Sequence, residues 1–116
     1  MLPEVLVRDK NALIVRFVIL EDGFTSFGRV SSNKLVLRDI SVSRHHGAFY
    51  LQAELGILTV EDYGSRNGSY VNNIQVRRKI LYAGDVVQVG DFQLEILHGT
   101  AQPVRLADAV LPIRKD

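Results

Sequence analysis

Apolar residues along this chain recur with a period of two. In Val87-Gln88-Val89 and in Phe92-Gln93-Leu94-Glu95-Ile96 every second residue is apolar, the alternation of a strand that buries one face. Short runs rich in Val, Ile, Leu, Phe and Tyr fill much of the rest: EVLVRD, ALIVRFVIL, NKLVL, GAFYLQAEL, ILTVEDY, SYVNN and DVVQVG. Helical periodicity is hard to find. Turn-forming residues separate the runs, at Glu21-Asp22-Gly23, Ser31-Ser32-Asn33, Gly64-Ser65-Arg66-Asn67-Gly68, Asn72-Asn73, Ala83-Gly84-Asp85 and Gly90-Asp91. Many short strands with regularly spaced turns predict an all-β antiparallel sandwich or barrel. The alternation stops after Gly99. Residues 1–99 therefore read as one domain, and TAQPVRLADAVLPIRKD, with two prolines, as a linker or docked tail over residues 100–116.

Composition narrows the function more than the fold. A length of 116 residues, 47% of them apolar, suits one domain with one core. No cysteine is present, which removes disulfides, thiolate metal sites and thiol nucleophiles and fits a cytoplasmic setting. The start, MLPEVLVRDK, lacks a secretory pattern, and no apolar run nears the roughly 20 residues of a membrane helix. A net charge of +1 gives no bulk attraction to nucleic acid. Anion recognition must come from local groupings.

Three loops carry such groupings: Phe27-Gly28-Arg29 at a strand end, Ser41-Val42-Ser43-Arg44-His45-His46, and Asp62-Tyr63-Gly64-Ser65-Arg66-Asn67-Gly68-Ser69. Each has a plain structural reading. A Gly-Arg is an ordinary turn with a solvated charge, and Asn67-Gly68 alone signals a type I′ turn. Together they collect three arginines, several hydroxyls and an amide, with glycines that let backbone approach a ligand. Guanidinium forks, hydroxyls and backbone N–H groups are the parts of a phosphate cradle.

The string FGR…SNKLVLRDISVSRHHGAF…VEDYGSRNGSYVNN…GDVVQVG resembles the forkhead-associated (FHA) domain family, from about residue 5 to residue 97. The resemblance implies an eleven-stranded β-sandwich that binds phosphothreonine peptides in Ser/Thr kinase signalling, with no cofactor, no metal and no catalytic residue. It implies that Arg29 and Ser43 contact the phosphate, that Arg44 contacts phosphate or peptide backbone, that Arg66 lies beside the phosphate, and that Asn67 holds the peptide main chain. Gly28, Gly64, Ser65 and Gly68 shape the loops, and His46 ties them from inside while His45 faces out. The chain departs from the pattern in three places. Arg66 stands where Thr or Ser is seen in some members, Lys34 follows Asn33 where an acidic residue is common, and Ser69 stands where Thr is frequent.

Three other readings compete. Ser43, His46 and Asp39 or Asp62 could form a hydrolase triad, although no G-x-S-x-G elbow is present. Arg77-Arg78-Lys79, expected on a hairpin, could meet nucleic acid, although no aromatic platform interleaves the loop charges. The strongest alternative is a phosphorylation-independent assembly module that uses a sheet face or edge of the same sandwich. Adjacent residues of an extended chain point to opposite sides, so His45 and His46 are not expected to share a metal ion.

Overall fold

A computed structural model describes residues 2–100. These residues form eleven strands and no helix: β1 (Glu4–Arg8), β2 (Ile14–Ile19), β3 (Gly23–Gly28), β4 (Leu35–Val36), β5 (Gly47–Gln52), β6 (Ile57–Asp62), β7 (Ser69–Val71), β8 (Ile74–Val76), β9 (Arg78–Ile80), β10 (Val86–Val89) and β11 (Phe92–His98). Six make one sheet in the order β2-β1-β11-β10-β7-β8, and five make the other in the order β4-β3-β5-β6-β9. Every pairing is antiparallel except β3 with β4, where Phe27 and Gly28 pair in parallel with Leu35 and Val36.

The alternation seen in the sequence is what joins the two sheets. Val5 and Val7 of β1, Val87 and Val89 of β10, and Leu94 and Ile96 of β11 are fully buried and meet Phe27, Phe49, Leu51, Leu58 and Val60 of the other sheet. Each such side chain contributes about 1.5–3 kcal/mol on leaving water. Loop residues Leu20, Leu37, Val42 and Leu81 close the ends of this core.

Some expectations moved. The type I′ turn falls at Asn72-Asn73, whose φ values are 51° and 72°, between the paired Val71 and Ile74. At Asn67-Gly68 only the glycine has a positive φ, because the asparagine belongs to a longer loop. Arg77 does not sit on a hairpin. It lies where the chain crosses from β8 in one sheet to β9 in the other, and Arg78 pairs with Glu61 at 3.8 Å. Thr100, placed in the tail, is 5% exposed: its N–H donates to Leu81 O and its Oγ1 accepts from Leu58 N. The rest of that tail, 101–116, lies outside the described residues.

Candidate functional site

The β3–β4, β4–β5 and β6–β7 loops converge at one end of the sandwich, joined by the turn between β10 and β11. Beneath them lies His46, with no solvent exposure. Its Nδ1 accepts from Ser43 N at 3.1 Å and its Nε2 donates to Gly68 O at 3.0 Å, so one imidazole links the second and third loops. An Nδ1 that accepts carries no proton, which makes the ring neutral. Burial acts the same way, lowering the His46 pKa against the raising pull of Gly68 O and of Asp62. The 3.7 Å approach of Nε2 to Asp62 Oδ1 is therefore not an ion pair. His46 and His45 sit at a turn rather than on the extended chain first assumed, yet they do separate, one inward and one exposed.

Asp62 organises the third loop. Its Oδ2 accepts from Gly64 N and Ser65 N, both at 2.9 Å. Its Oδ1 accepts from the Ser65 hydroxyl at 2.6 Å and the Ser69 hydroxyl at 2.7 Å. Burial pushes this carboxyl up, but the bonds from Ser65 and Ser69 outweigh it and hold it below the ordinary 3.8. Charge-assisted bonds of this kind are about twice as strong as neutral ones. Ser65 Oγ also accepts from Gly68 N at 3.0 Å. Gly64, at φ 78°, takes the left-handed conformation that a side chain would strain.

The second loop hangs on Ser41. Its N–H and hydroxyl both bind Asp39 Oδ2, at 2.9 and 2.6 Å, its Oγ accepts from Asp91 N at 2.9 Å, and its carbonyl accepts from Asn67 Nδ2 at 3.0 Å. The Ser41 bonds lower the Asp39 pKa. In the first loop Gly28 is needed for a close approach: a Cβ there would collide with Arg44 O. Asn33, 6% exposed, fixes that same carbonyl by donating to it at 2.8 Å.

On this base stand the residues singled out from the sequence. Arg29 N donates to Ser43 O at 2.9 Å and Arg29 Nε to Val42 O at 3.0 Å, which leaves both terminal guanidinium nitrogens uncommitted among the described residues. Ser43 Oγ accepts from Arg66 N at 2.9 Å, so its hydroxyl hydrogen is free to donate. Arg44, Arg66 and Asn67 are exposed, and the first two side chains have no partner among the described residues. The structure thus gathers Arg29, Ser43, Arg44, Arg66 and Asn67 on one rim. A cleft of about 340 Å³ adjoins it, lined by Ser41, Asn67, Tyr70, Asn73, Gln88 and Asp91. Lys34 does not join the rim, because its ammonium turns back to Phe24 O at 3.3 Å.

The triad reading fails on geometry. Both ring nitrogens of His46 are committed to backbone groups, and Ser43 Oγ bonds to Arg66 N rather than to an imidazole. A general base must reach the nucleophile's proton, and here it does not. Sequence reasoning saw Asp39 and Asp62 only as possible triad acids, and missed Asn33 and the serines Ser41 and Ser69 as site-builders. The usable signal was local: Asp39-x-Ser41 and Asp62-x-x-Ser65 are spacings at which an aspartate accepts from nearby backbone and hydroxyl groups.

This fold and loop end have close structural counterparts. A structure solved for phosphothreonine-dependent FHA domain interactions superposes with a TM-score of 0.75 at 25% identity, covering 89% of this chain and 99% of that one. The FhaA FHA domain complexed with the intracellular domain of Rv3910 gives 0.72 at 26% identity, covering 81% and 98%. The family model for the FHA domain matches residues 25–90. The chain belongs to the FHA domain family. Among curated relatives, the glycogen accumulation regulator GarA of Mycobacterium tuberculosis is 42% identical over 84 residues, 72% of this chain and 51% of that protein. The oxoglutarate dehydrogenase inhibitor of Corynebacterium glutamicum is 36% identical over 84 residues, 72% and 57%. The chain therefore spans about half the length of these relatives.

Proposed function

We propose that this domain is a non-enzymatic module that binds phosphothreonine-containing protein segments in cytoplasmic Ser/Thr kinase signalling. One observation carries the reading: three guanidinium groups and a free hydroxyl donor stand over a base of loops whose own hydrogen bonds are already made. A phosphothreonine brings about −1.5 to −2 charges and three acceptor oxygens, which match the Arg29 fork, the Ser43 hydroxyl and the Arg44 and Arg66 side chains. Asn67, held by its Nδ2 to Ser41 O, keeps its Oδ1 for a peptide N–H. The adjoining cleft receives the flanking residues. Relatives named as a regulator and as an inhibitor support a regulatory rather than a catalytic role.

The threonines within these residues are not its ligand. The three threonines of this sequence, Thr25, Thr59 and Thr100, are 7%, 8% and 5% exposed, so the folded domain presents none of them to a kinase. The test is a degenerate phosphothreonine peptide library with its unphosphorylated twin. Selective capture of phosphorylated peptides supports the reading, and equal capture from both libraries rejects it.

A further inference from the structure

The rim and the cleft beside it carry opposite charge. Arg29, Arg44 and Arg66 stand on the rim, whereas the one formal charge among the residues lining the cleft is Asp91. The cleft begins at Ser41 and Asn67, which the bond from Asn67 Nδ2 to Ser41 O holds together, and extends onto the outer face of the six-stranded sheet. Tyr70 of β7 and Gln88 of β10 are cross-strand partners there. Each stands next to a buried valine, Val71 and Val87, so by alternation both side chains point away from the core. Asp91 follows at the turn into β11, its N–H held by Ser41 Oγ at 2.9 Å.

The Asp91 carboxylate is exposed and makes no hydrogen bond or ion pair among the described residues. Glu95 and Asp85, on the same sheet and its turn, are by contrast engaged. Glu95 meets Arg8 at 2.7 Å, and Asp85 accepts from Asn72 Nδ2 at 2.9 Å and from Tyr82 N at 2.8 Å. Gln88 donates its Nε2 to Gly90 O at 3.3 Å, which keeps its Oε1 as an acceptor. An open carboxylate, an amide oxygen and the half-buried Tyr70 ring suit a side chain with an apolar stem and a cationic head. The stem packs on the ring and the head meets the carboxylate.

Resting on the phosphothreonine reading, we propose that this cleft selects ligands with a lysine or arginine close to the phosphothreonine, and that Asp91 is the residue that reads it. The spacing follows from the loop. Ser41 and Ser43 are two residues apart, at most about 7 Å along the chain, and Asp91 lies one hydrogen bond beyond Ser41. A phosphate on Ser43 and a cation on Asp91 are then separated by roughly 10 Å, which an extended peptide crosses in about two to four residues. Opposite charges at a fixed separation also set the direction of the peptide, because a reversed ligand takes its cation away from the cleft. A glutamate or a second phosphate in that place meets like charge, so the arginines do not recruit acidic segments indiscriminately.

The test is a calorimetric scan of a phosphothreonine peptide with an alanine background. Lys, Leu and Glu are placed in turn at each position within about four residues of the phosphothreonine, and the peptides are titrated into the full chain as wild type, Asp91→Asn and Asp91→Lys. At one position two to four residues away, the wild type should favour Lys over Glu by about three- to tenfold, as attraction of one charge and repulsion of the other add at a part-exposed site. In Asp91→Asn that ratio should fall to within about twofold. In Asp91→Lys the Glu peptide should overtake the Lys peptide, a reversal that only a folded, binding protein can show. A wild type with no Lys-over-Glu preference at any position, one that prefers Leu throughout, or a preference that persists in Asp91→Asn overturns the proposal and leaves the phosphothreonine reading standing. Equal binding of the same peptides without their phosphate rejects that reading, and this proposal with it.

Discussion

His46 and Arg29 are neighbours through Ser43, and they have opposite lots. The imidazole is sealed from water with both nitrogens committed. The guanidinium is half-buried, commits only its Nε and leaves the rest of its fork open. The same contrast runs through the whole loop end. Asp62, Ser65, Asp39, Ser41 and Asn33 are engaged in bonds within the loops, whereas Arg44 and Arg66 are held by their backbones and have free side chains. A charged donor array that bound its own loops would have nothing left for a ligand. One supported by a saturated layer keeps its donors and loses little freedom on binding, the benefit of pre-organisation.

The contrast is sharpest when each layer is damaged separately. Arg29→Ala should weaken a phosphothreonine peptide by about 2–5 kcal/mol, the usual cost of removing one partner of a desolvated charge pair. Its melting temperature should fall only as far as one lost hydrogen bond allows, about 0.5–1.5 kcal/mol. Titration calorimetry and a thermal melt on the same preparation read both numbers. His46→Ala should invert the ranking. Leaving Ser43 N and Gly68 O unsatisfied costs about 1–3 kcal/mol of stability, and peptide binding falls because the second and third loops lose their link.

Acid probes the lower layer in two stages. Burial lowers the His46 pKa in the fold below its ordinary 6.5, so in acid the unfolded chain takes up a proton that the fold refuses. Stability from this group is complete above 6.5 and declines as the pH falls below it. The Asp62 and Asp39 pKa values are lowered from 3.8. Their contribution is present above that value and is lost as the pH drops through their folded-state values. Urea unfolding from pH 8 to pH 3 should therefore show two declines, and His46→Gln should flatten the upper one while sparing the lower. A single decline below pH 4 in the wild type would place no linkage on His46. The smallest effect belongs to its neighbour: His45→Ala, at an exposed position, should shift stability by no more than about 0.5 kcal/mol.

The rim was legible in the sequence because it consists of residue types that have no other reason to cluster. Arg29, Ser43, Arg44, Arg66 and Asn67 stand out as chemistry. The layer beneath was harder to see because its members look like turn residues. Asp39, Ser41 and Asp62 occur in stretches where aspartate and serine are common, and only the fold shows that Ser41 reaches both Asp91 N and Asn67. Asn67-Gly68 misled for a related reason. The dipeptide satisfies a local turn rule, but Asn67 is bound across the loops, and the tight turn went to Asn72-Asn73. Strand alternation located β10 and β11 well, since one face of each meets the core. It could not rank β2, whose apolar run promised burial and received an open edge. Periodicity records which side chains share a face and says nothing of what covers that face.

The central claim is that phosphate recognition resides in the rim and its support in the layer below. The most direct test is one calorimetric series in which a phosphothreonine peptide and its unphosphorylated twin are titrated into wild type, Arg29→Ala and His45→Ala at equal folded fraction. The wild type and His45→Ala should bind the phosphorylated peptide alike and ignore the twin, while Arg29→Ala should lose at least about 2 kcal/mol of affinity. Equal binding of the two peptides by the wild type, or undiminished binding by a folded Arg29→Ala, would contradict it.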